Sequence, residues 1–324
     1  MGVATFQCRV PCVDPALSAL VHWGSFFGKR LTWVGPTAMI RDDGLLKYPR
    51  TPHLEGSRLQ EGDSDHDQLP YDALVGKHLV LEEKLDGANS GLSFSDEGEL
   101  RLQSRGHFLT GGSRERHFNL LKQWASRHED ALFDLLGTRY IVFGEWMYAK
   151  HSMYYDALPH LFLEFDVFDK EAGLFLSTQR RHALLQAVPV VSVPVLYEGP
   201  APARWSDLAA WVGRSVARGD RWRESLTQES TRRGLDPVRV AEQTDADDCS
   251  EGLYLKVEDN TQVLARYKLV RPSFTQTIMD GDEHWQKRPV VPNGLRPGVD
   301  LFADTIDKRW PAFRPSVRSV FKPR

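Results

Sequence analysis

The chain is organised around the stretch Glu82-Glu83-Lys84-Leu85-Asp86-Gly87-Ala88-Asn89. Apolar residues precede it at positions 79–81, and Leu92 and Phe94 follow it at alternating positions. Alternation of apolar and polar residues is typical of a strand with one buried face, and Asp-Gly is typical of a turn. We therefore predict a strand, a sharp turn and a second strand.

This geometry places the amine of Lys84 at the mouth of a sheet beside the carboxylate of Asp86. Gly87 would let the backbone approach a ligand closely. By itself a K-x-D-G sequence is weak support for a functional site, because a surface Lys–Asp pair in a hairpin has the same pattern. The residues downstream decide between the two interpretations.

The composition describes a soluble globular protein. The chain has 324 residues, a net charge of −3, 41% apolar and 26% charged residues, which is enough for one large domain with an appendage or for two domains. We expect no membrane span and no signal peptide, because no apolar run approaches twenty residues and the first residues lack a signal-peptide pattern. Three cysteines (Cys8, Cys12 and Cys249) favour a reduced, cytoplasmic setting, and no second pair completes a metal-ligand set with Cys8 and Cys12.

The order of patterns along the chain predicts an α+β fold of antiparallel strands with helices inserted between them. Further strands are predicted at 99–104, 139–146, 160–169, 251–257 and 263–270. Helices are predicted at 113–136, 179–187 and 207–216, and 219–250 has the polar composition of a surface insertion. We predict an N-terminal element at 1–44, one central domain at 45–272 and a short C-terminal element at 273–324.

Two further segments differ in character from the strands. The segment 47–58 contains two prolines that favour an extended backbone, and its polar side chains suit either a nucleotide or a solvated loop. The stretch 61–68 is acidic and polar and is predicted to be a surface loop.

Charged and aromatic residues recur at or near strand ends, where side chains from different strands converge on ligands. These residues are Lys84, Arg105, Glu145, Phe165, Glu251, Lys256, Arg266 and Lys268. Such a set suits nucleotidyl transfer, with Lys84 attacking the α-phosphate of a nucleoside triphosphate. A free lysine is protonated at neutral pH, so it needs nearby cations, a metal or burial to act as a nucleophile.

The other residues have matching expected roles. Arg266 and Lys268 are expected to supply a cationic field and to grip phosphate. Glu251 is expected to hold a divalent metal. Phe165 is expected to stack on the base, and Glu145 to accept a hydrogen bond from a ribose hydroxyl.

Taken in order, these motifs resemble those of the covalent nucleotidyltransferase superfamily, which contains polynucleotide ligases and mRNA capping enzymes. The resemblance covers about residues 47–274. It rests on six matches: K-x-D-G at 84–87, Ser104-Arg105, Phe143-Gly144-Glu145, Glu164-Phe165-Asp166-Val167, Glu251-Gly252 with Lys256, and Arg266-Tyr267-Lys268. It implies an antiparallel-sheet nucleotidyltransferase core of the ATP-grasp-like ligase type, with small terminal elements.

Within the superfamily the chain is most similar to the RNA ligase 2-like branch. Asn89 stands at the K-x-D-G-x-N spacing of that branch, where the asparagine serves strand sealing, and Lys47-Tyr48 looks like its upstream strand. The resemblance implies that the backbone of Glu83 contacts adenine and that Arg105 acts near the phosphates or the RNA 5′ end. It also implies that Asp86 of the K-x-D-G motif belongs to the catalytic set.

The implied reaction has three steps and uses ATP with Mg²⁺ or Mn²⁺. Lys84 is adenylated, AMP passes to an RNA 5′-phosphate, and a 3′-hydroxyl displaces AMP. The expected partner is therefore RNA with 5′-phosphate and 3′-hydroxyl ends, and the expected task is repair or end-joining. No membrane partner is expected, and the sequence identifies no protein partner.

Two departures from the superfamily pattern affect the alternatives. Arg266 stands where lysine is usual, and a planar fork grips phosphate differently from a point charge. The tail after Lys268 is too short for the oligonucleotide-binding barrel of DNA ligases and capping enzymes. A DNA ligase, a capping-type guanylyltransferase and a non-catalytic nucleic-acid end-binding protein remain the alternatives.

Overall fold

A computed structural model describes residue 41 and residues 43–59, 68–274 and 289–313, together with residues 315 and 321. The predicted N-terminal element therefore lies almost entirely outside the described residues. Cys8 and Cys12 also lie outside the described residues, as do most of the predicted loop at 61–68 and most of the basic residues near the C-terminal end. The three-part division of the chain stays a prediction.

The ten strands and six helices of the described part alternate along the chain. The strands are β1 (His78–Lys84), β2 (Ala88–Phe94), β3 (Leu100–Ser104), β4 (Tyr140–Trp146), β5 (Phe162–Asp169), β6 (Leu174–Phe175), β7 (Val191–Ser192), β8 (Val195–Pro200), β9 (Gly252–Glu258) and β10 (Val263–Val270). The helices are α1 (Asn119–Arg127), α2 (Glu129–Leu136), α3 (Thr178–Leu185), α4 (Trp205–Ala209), α5 (Trp222–Arg232) and α6 (Pro237–Glu242).

The first sheet is antiparallel, with strand order β10-β9-β1-β8. Because side chains alternate between the faces of a strand, its residues separate into two sets. One face is apolar and lies in a core cluster that includes Leu79, Leu81, Leu253, Leu255 and Leu269. The other face carries Glu82, Lys84, Tyr254, Lys256, Arg266 and Lys268, which the strand register places side by side. The sheet therefore presents one polar face.

The second sheet has the order β3-β2-β4-β5-β6, and β7 pairs with β5 in parallel. Its other pairings are antiparallel, so the predicted α+β class of antiparallel strands with inserted helices is confirmed. Leu121 and Trp124 of α1 lie with Leu92 and Phe162 in the largest buried cluster. Trp124 has no exposed surface, in agreement with its predicted place on the apolar helix face.

The single helix predicted at 113–136 is wrong. The segment forms a 3₁₀ turn, Ser113–Phe118, followed by α1 and α2. The two helices separate at His128, whose backbone N–H bonds back to the carbonyls of Trp124 and Ala125. The apolar periodicity continues through this break, which is why the pattern suggested one helix.

Two other segments also differ from expectation. The helix predicted at 207–216 ends at Ala209, because the chain beyond it bonds instead to residues near 249, as in Ser250 N–H to Gly213 O at 2.9 Å. The polar segment 219–250 contains α5 and α6. Trp222 and Leu226 of α5 and Val240 of α6 belong to one small buried cluster. This cluster provides the apolar face that the polar composition concealed.

The described part of the C-terminal segment, 289–313, contains neither helix nor strand and runs along the domain surface. Asn293 donates to Met147 O at 2.7 Å, and Leu301 is buried in the largest cluster. Lys308 donates to the carbonyl oxygens of Leu185 and Val188, at 2.7 and 2.6 Å. Leu185 is the last residue of α3, and Val188 lies just after it. No helix in the described residues has the length and hydropathy needed to cross a membrane.

Candidate active site

Lys84 is the last residue of β1 and lies opposite Gly252 of β9. A Cβ atom on Gly252 would lie 1.9 Å from the carbonyl oxygen of Leu269, so only glycine fits there. The amine of Lys84 contacts both carboxylate oxygens of Glu251, each at 2.8 Å. Glu251 has 3% of its side chain exposed and Lys84 has 24%, so the pair is largely shielded from solvent. Two of the predicted site residues are thus in direct contact.

The charge environment of Lys84 differs from what we expected. Burial alone would lower its pKa, but the charge and hydrogen bond of Glu251, with Glu145 and Asp86, more than offset this and raise the pKa above its ordinary value. The expectation of an activating cationic field is therefore wrong for the ligand-free protein. Lys84 is held here as an ammonium ion, and its neighbours are acidic.

The surrounding carboxyl groups are strongly perturbed. Burial raises the pKa of both Glu145 and Glu251 to about 7, although the charge of Lys84 opposes the shift. Groups with a pKa near neutrality can take up or release a proton under ordinary conditions. The cluster therefore has a carboxyl group in contact with the lysine that is able to receive its proton.

Asp86 anchors a loop and makes no direct contact with Lys84. Its carboxylate accepts hydrogen bonds from the backbone N–H groups of Ser152 and Met153, at 2.7 and 2.9 Å. Its own N–H donates to the hydroxyl of Tyr155 at 2.9 Å. These bonds fix the 151–155 loop beside the nucleophile. The assignment of Asp86 to the catalytic set stays a prediction, and the contacts observed are those of a positioning residue.

Gly87 is required by the neighbouring strand. A Cβ atom there would lie 2.7 Å from the sulfur of Met147 and 2.8 Å from the carbonyl oxygen of Trp146. Its N–H donates to Glu145 at 3.2 Å. The close approach in the structure is between β4 and this turn, and close approach of a ligand to Gly87 stays a prediction. The hydrogen bond from Gly87 to Glu145 ties this turn to β4.

Asn89 and Arg105 lie near the start of β2 and the end of β3. Asn89 pairs with Glu145 in the β2–β4 register, and its buried Oδ1 accepts no hydrogen bond within the described part of the protein. Arg105 is exposed in the turn after β3. Neither contacts Lys84 directly, so their expected roles with RNA stay predictions.

Glu83 faces away from Lys84 and holds a second loop. Its carboxylate accepts from the Ser215 hydroxyl at 2.5 Å and from the Val216 N–H at 3.0 Å. Its own N–H donates to Pro194 O at 3.1 Å, so a contact with adenine would fall to its carbonyl oxygen. The sequence analysis did not anticipate this role for the Glu83 side chain.

The ligand-free protein is expected to lose stability as the pH rises toward and through 7. Burial raises the pKa of Glu83 from 4.5 to about 7, so between these values the folded state holds a proton that the unfolded chain has released. The free energy of unfolding should therefore fall with rising pH, by at most about 3 kcal/mol for this group. Urea unfolding from about pH 5 to 8 measures the slope. Glu83→Gln should reduce the slope but not abolish it, because the raised pKa values of Glu145 and Glu251 act in the same direction, and an equal slope in both proteins would contradict a contribution from Glu83.

Behind the lysine the two sheets are joined by buried acidic and basic side chains. The members are Glu82, Glu164, Asp166, Arg181, Lys256 and Arg266. Lys256 has no exposed side-chain surface and lies 3.0 Å from Glu82 and 3.3 Å from Asp166. Its predicted contact with the nucleotide stays a prediction, since here its ammonium contacts protein oxygens.

Four members of this network, Glu82, Glu164, Asp166 and Arg181, received no role from the sequence. Arg181 is fully buried and contacts Glu82 on β1 and Glu164 on β5, the latter at 2.7 Å. Charged residues inside otherwise apolar strands were the available signal. The pairing partner on α3 could not be read from the sequence, because it depends on how α3 packs.

The other residues expected to contact a nucleotide are Arg266, Phe165 and Lys268. Arg266 donates from Nε to Asp166 at 2.8 Å, and its Nη2 is buried without a hydrogen-bond partner in the described residues. The Phe165 ring lies 5.1 Å from that of Tyr48 and 6.3 Å from that of Tyr254, measured between centroids. The charge of Lys268 lowers the pKa of Glu251, which places it near the Lys84–Glu251 pair.

Glu251 has the chemistry expected of a ligand for a divalent cation, because such ions prefer carboxylate oxygens. Among the described residues no three histidine, cysteine or acidic side chains come together as a metal site. An ion at Glu251 would therefore need water or phosphate oxygens as its other ligands, as is usual for Mg²⁺.

Comparison with known proteins agrees with these motifs. The family model described as RNA ligase matches residues 77–270, more than half of the chain. An RNA ligase from Naegleria gruberi, solved with ATP and manganese, is 16% identical with a TM-score of 0.42, covering 68% of this chain and 58% of its own. An archaeal ATP-dependent RNA ligase is 14% identical with a TM-score of 0.42, covering 69% and 48%. The chain thus matches less than two thirds of either protein, and no curated protein sequence matches it.

Proposed function

Because this chain belongs to the RNA ligase family, we propose that it is an ATP-dependent RNA ligase. It joins 5′-phosphate and 3′-hydroxyl RNA ends through AMP carried on Lys84, in repair or end-joining. The observation that carries the proposal is the Lys84–Glu251 pair, with both contacts at 2.8 Å, at the open end of the polar sheet face.

The first step forms a bond between the Lys84 nitrogen and the α-phosphorus of ATP and breaks the bond from that phosphorus to the pyrophosphate. The Lys84 ammonium loses two protons when the N–P bond forms: one passes to the Glu251 carboxylate that contacts it, and the other passes to water or to the departing pyrophosphate. Arg266 and Lys268 are the cations placed to hold phosphate oxygens. A divalent cation bound with the nucleotide would neutralise phosphate charge, with Glu251 as its protein ligand.

The later steps transfer AMP to the RNA 5′-phosphate and then expel it when the 3′-hydroxyl attacks. Asn89 lies near the start of β2, which follows the turn after Lys84, and Arg105 directly follows β3, which pairs with β2; both are candidates for contact with the RNA end. The family match to residues 77–270 favours an RNA ligase over the DNA ligase and guanylyltransferase alternatives. The end-binding alternative has less support, because Lys84 and Glu251 are both present and in contact.

A strand-joining assay tests the proposal. Labelled RNA with a 5′-phosphate and a 3′-hydroxyl is incubated with the protein, ATP and Mg²⁺ or Mn²⁺, as a free end, a loop and a nick. Parallel reactions use DNA, RNA with a 5′-hydroxyl, and GTP or NAD in place of ATP. Joined RNA that requires ATP and the 5′-phosphate supports the proposal. RNA binding without joining in every reaction would favour the end-binding alternative.

Replacing Asn89 with alanine is expected to affect sealing more than adenylation. Its Oδ1 has no acceptor role within the described protein and lies beside Glu145, away from direct contact with Lys84. The adduct should form at nearly the normal rate, while sealing of pre-adenylated RNA should fall by about tenfold or more, as for a lost contact to a charged group. Asn119→Ala, at an exposed helix start, is the control. Normal sealing by Asn89→Ala would remove this role.

A further inference from the structure

A line of hydroxyl groups joins the segment 47–51 to a buried carboxylate. The Thr51 hydroxyl lies 2.7 Å from that of Tyr254, and Tyr254 lies 2.7 Å from the hydroxyl of Tyr48. Tyr48 in turn hydrogen-bonds to Asp166, which has no exposed surface. The line therefore joins the upstream segment to β9 of the first sheet and β5 of the second.

The number of available protons fixes the direction of these bonds. Burial alone would raise the pKa of Asp166, but Arg266, Lys256 and the Tyr48 hydrogen bond together hold it below its ordinary value, so Asp166 is a carboxylate. A carboxylate only accepts, so the one proton of Tyr48 points to Asp166. Tyr254 must then donate to Tyr48, and Thr51 to Tyr254. Burial raises the pKa of both tyrosines, that of Tyr254 to about 12, which keeps their protons in place.

The carboxylate at the end of this line holds Arg266. Arg266 donates from Nε to the same Oδ2 oxygen that accepts from Tyr48, at 2.8 Å. Its guanidinium carbon lies 3.8 Å from the centroid of the Phe175 ring, which limits its rotation. Its Nη2 is buried and bonds to no other group in the described residues. One side of the guanidinium is therefore fixed, and the N–H donors of Nη2 remain for another partner.

We infer that Tyr48 is a positioning residue for nucleotidyl transfer: the directed line from Thr51 through Tyr254 and Tyr48 to Asp166 orients Arg266 toward the nucleotide phosphates. The inference rests on the proposed function. It also gives a physical reason for arginine at this position. Arginine can bond to Asp166 through Nε and keep further N–H donors for phosphate, whereas a lysine has one ammonium for both partners.

The two tyrosines of the line also make aromatic contacts. The rings of Tyr48 and Tyr254 both pack on Phe165, the residue expected to stack on the base. Removing the Tyr48 hydroxyl leaves Asp166 without one donor and Tyr254 without its acceptor, while the ring contacts remain. Tyr48→Phe therefore tests the hydrogen-bond line separately from the aromatic packing.

The experiment measures formation of the Lys84 adduct as a function of ATP concentration in Tyr48→Phe. The maximal rate should fall by about tenfold or more, with a smaller change in KM for ATP, because a misplaced phosphate contact acts mainly in the transition state. Tyr197→Phe is the control, because within the described residues it removes a hydroxyl that bonds only to the nearby Pro200 O, at 2.6 Å.

Arg266→Lys and the double variant complete a double-mutant cycle. The loss of rate caused by Tyr48→Phe should largely disappear once Arg266 is replaced. An unchanged rate in Tyr48→Phe, or additive losses in the double variant, would overturn the inference.

A second measurement does not depend on activity. In ¹⁵N-labelled full-length protein the Nε–H resonance of Arg266 is assigned by its loss in Arg266→Lys. We expect slow exchange of this proton with water in the wild type and in Tyr197→Phe, and faster exchange in Tyr48→Phe. Equal exchange in Tyr48→Phe and wild type would overturn the inference. If wild-type protein forms no adduct, the proposed function fails, and the Arg266 resonance alone then decides whether the line orients Arg266.

Discussion

Lys84→Ala is expected to form no adduct with ATP. Within the described residues, the Lys84 amine is the only nitrogen paired with the Glu251 carboxylate, at the open end of the polar sheet face. The variant lacks this nitrogen. Removal of a covalent nucleophile typically costs several orders of magnitude, and here we expect at least about 10⁴-fold. The adduct is measured with labelled ATP after denaturation, which retains only covalent AMP.

Two further variants separate the nucleophile from the ion pair. Lys84→Arg keeps a cation next to Glu251 but supplies no competent amine, so it should be as inactive as Lys84→Ala while resembling the wild type in stability. Lys122→Ala removes a lysine of similar exposure, 28% against 24%, that also pairs with a buried glutamate, and it should remain active. Residual adduct in Lys84→Arg would mean that another residue carries the AMP.

Arg181→Met is expected to cause the largest loss of stability. Arg181 is fully buried between Glu82 and Glu164, which are also fully buried, so its removal leaves two carboxylates with less compensating charge. Breaking a buried pair in this way costs about 3–5 kcal/mol, a large part of the free energy of unfolding of a typical protein. The urea midpoint of unfolding measures the loss.

The pH dependence of this loss identifies its cause. Burial already raises the pKa of Glu82 and Glu164, and Arg181 opposes that shift in both. Without Arg181 their pKa values in the folded state rise further, so the variant should take up protons on folding and regain stability as the pH falls. Arg204→Met, which breaks an exposed pair with Asp207, should change the free energy of unfolding by less than about 1 kcal/mol at any pH. A deficit for Arg181→Met that does not change with pH would point to lost packing instead of lost charge.

The sequence predicted much of the fold because strand patterns are local. The predicted strand 263–270 coincides with β10, and the strand predicted at 139–146 is observed as β4, Tyr140–Trp146. The strand, turn and second strand predicted around Lys84 are β1 and β2. Some errors occurred where distant contacts override a local pattern. The early end of α4 at Ala209 is such a case, because the following residues bond to residues near 249. The break between α1 and α2 at His128 is different, because its backbone partners, Trp124 and Ala125, are local and the apolar periodicity continues through it.

The candidate site was predictable to a different extent. Lys84 and Glu251 were both named from their motifs, and the structure brings them into contact. The partners of Asp86 and Arg266 were not predicted, because no motif marks the 152–153 backbone or the Asp166 carboxylate as a partner, and the contacts form only when distant segments pack together. The sign of the Lys84 pKa shift was also missed. It depends on the competition between burial and three carboxylates, which only the assembled cluster defines.

The central claim is that Lys84 carries AMP, and intact mass spectrometry of the purified protein tests it most directly. The mass is measured before and after incubation with ATP and Mg²⁺ or Mn²⁺, followed by peptide mapping. The account predicts a gain of one adenylate, or its presence from the start, located on Lys84 and absent from Lys84→Arg. A protein that carries no adenylate before or after incubation, and none with GTP or NAD, would contradict it.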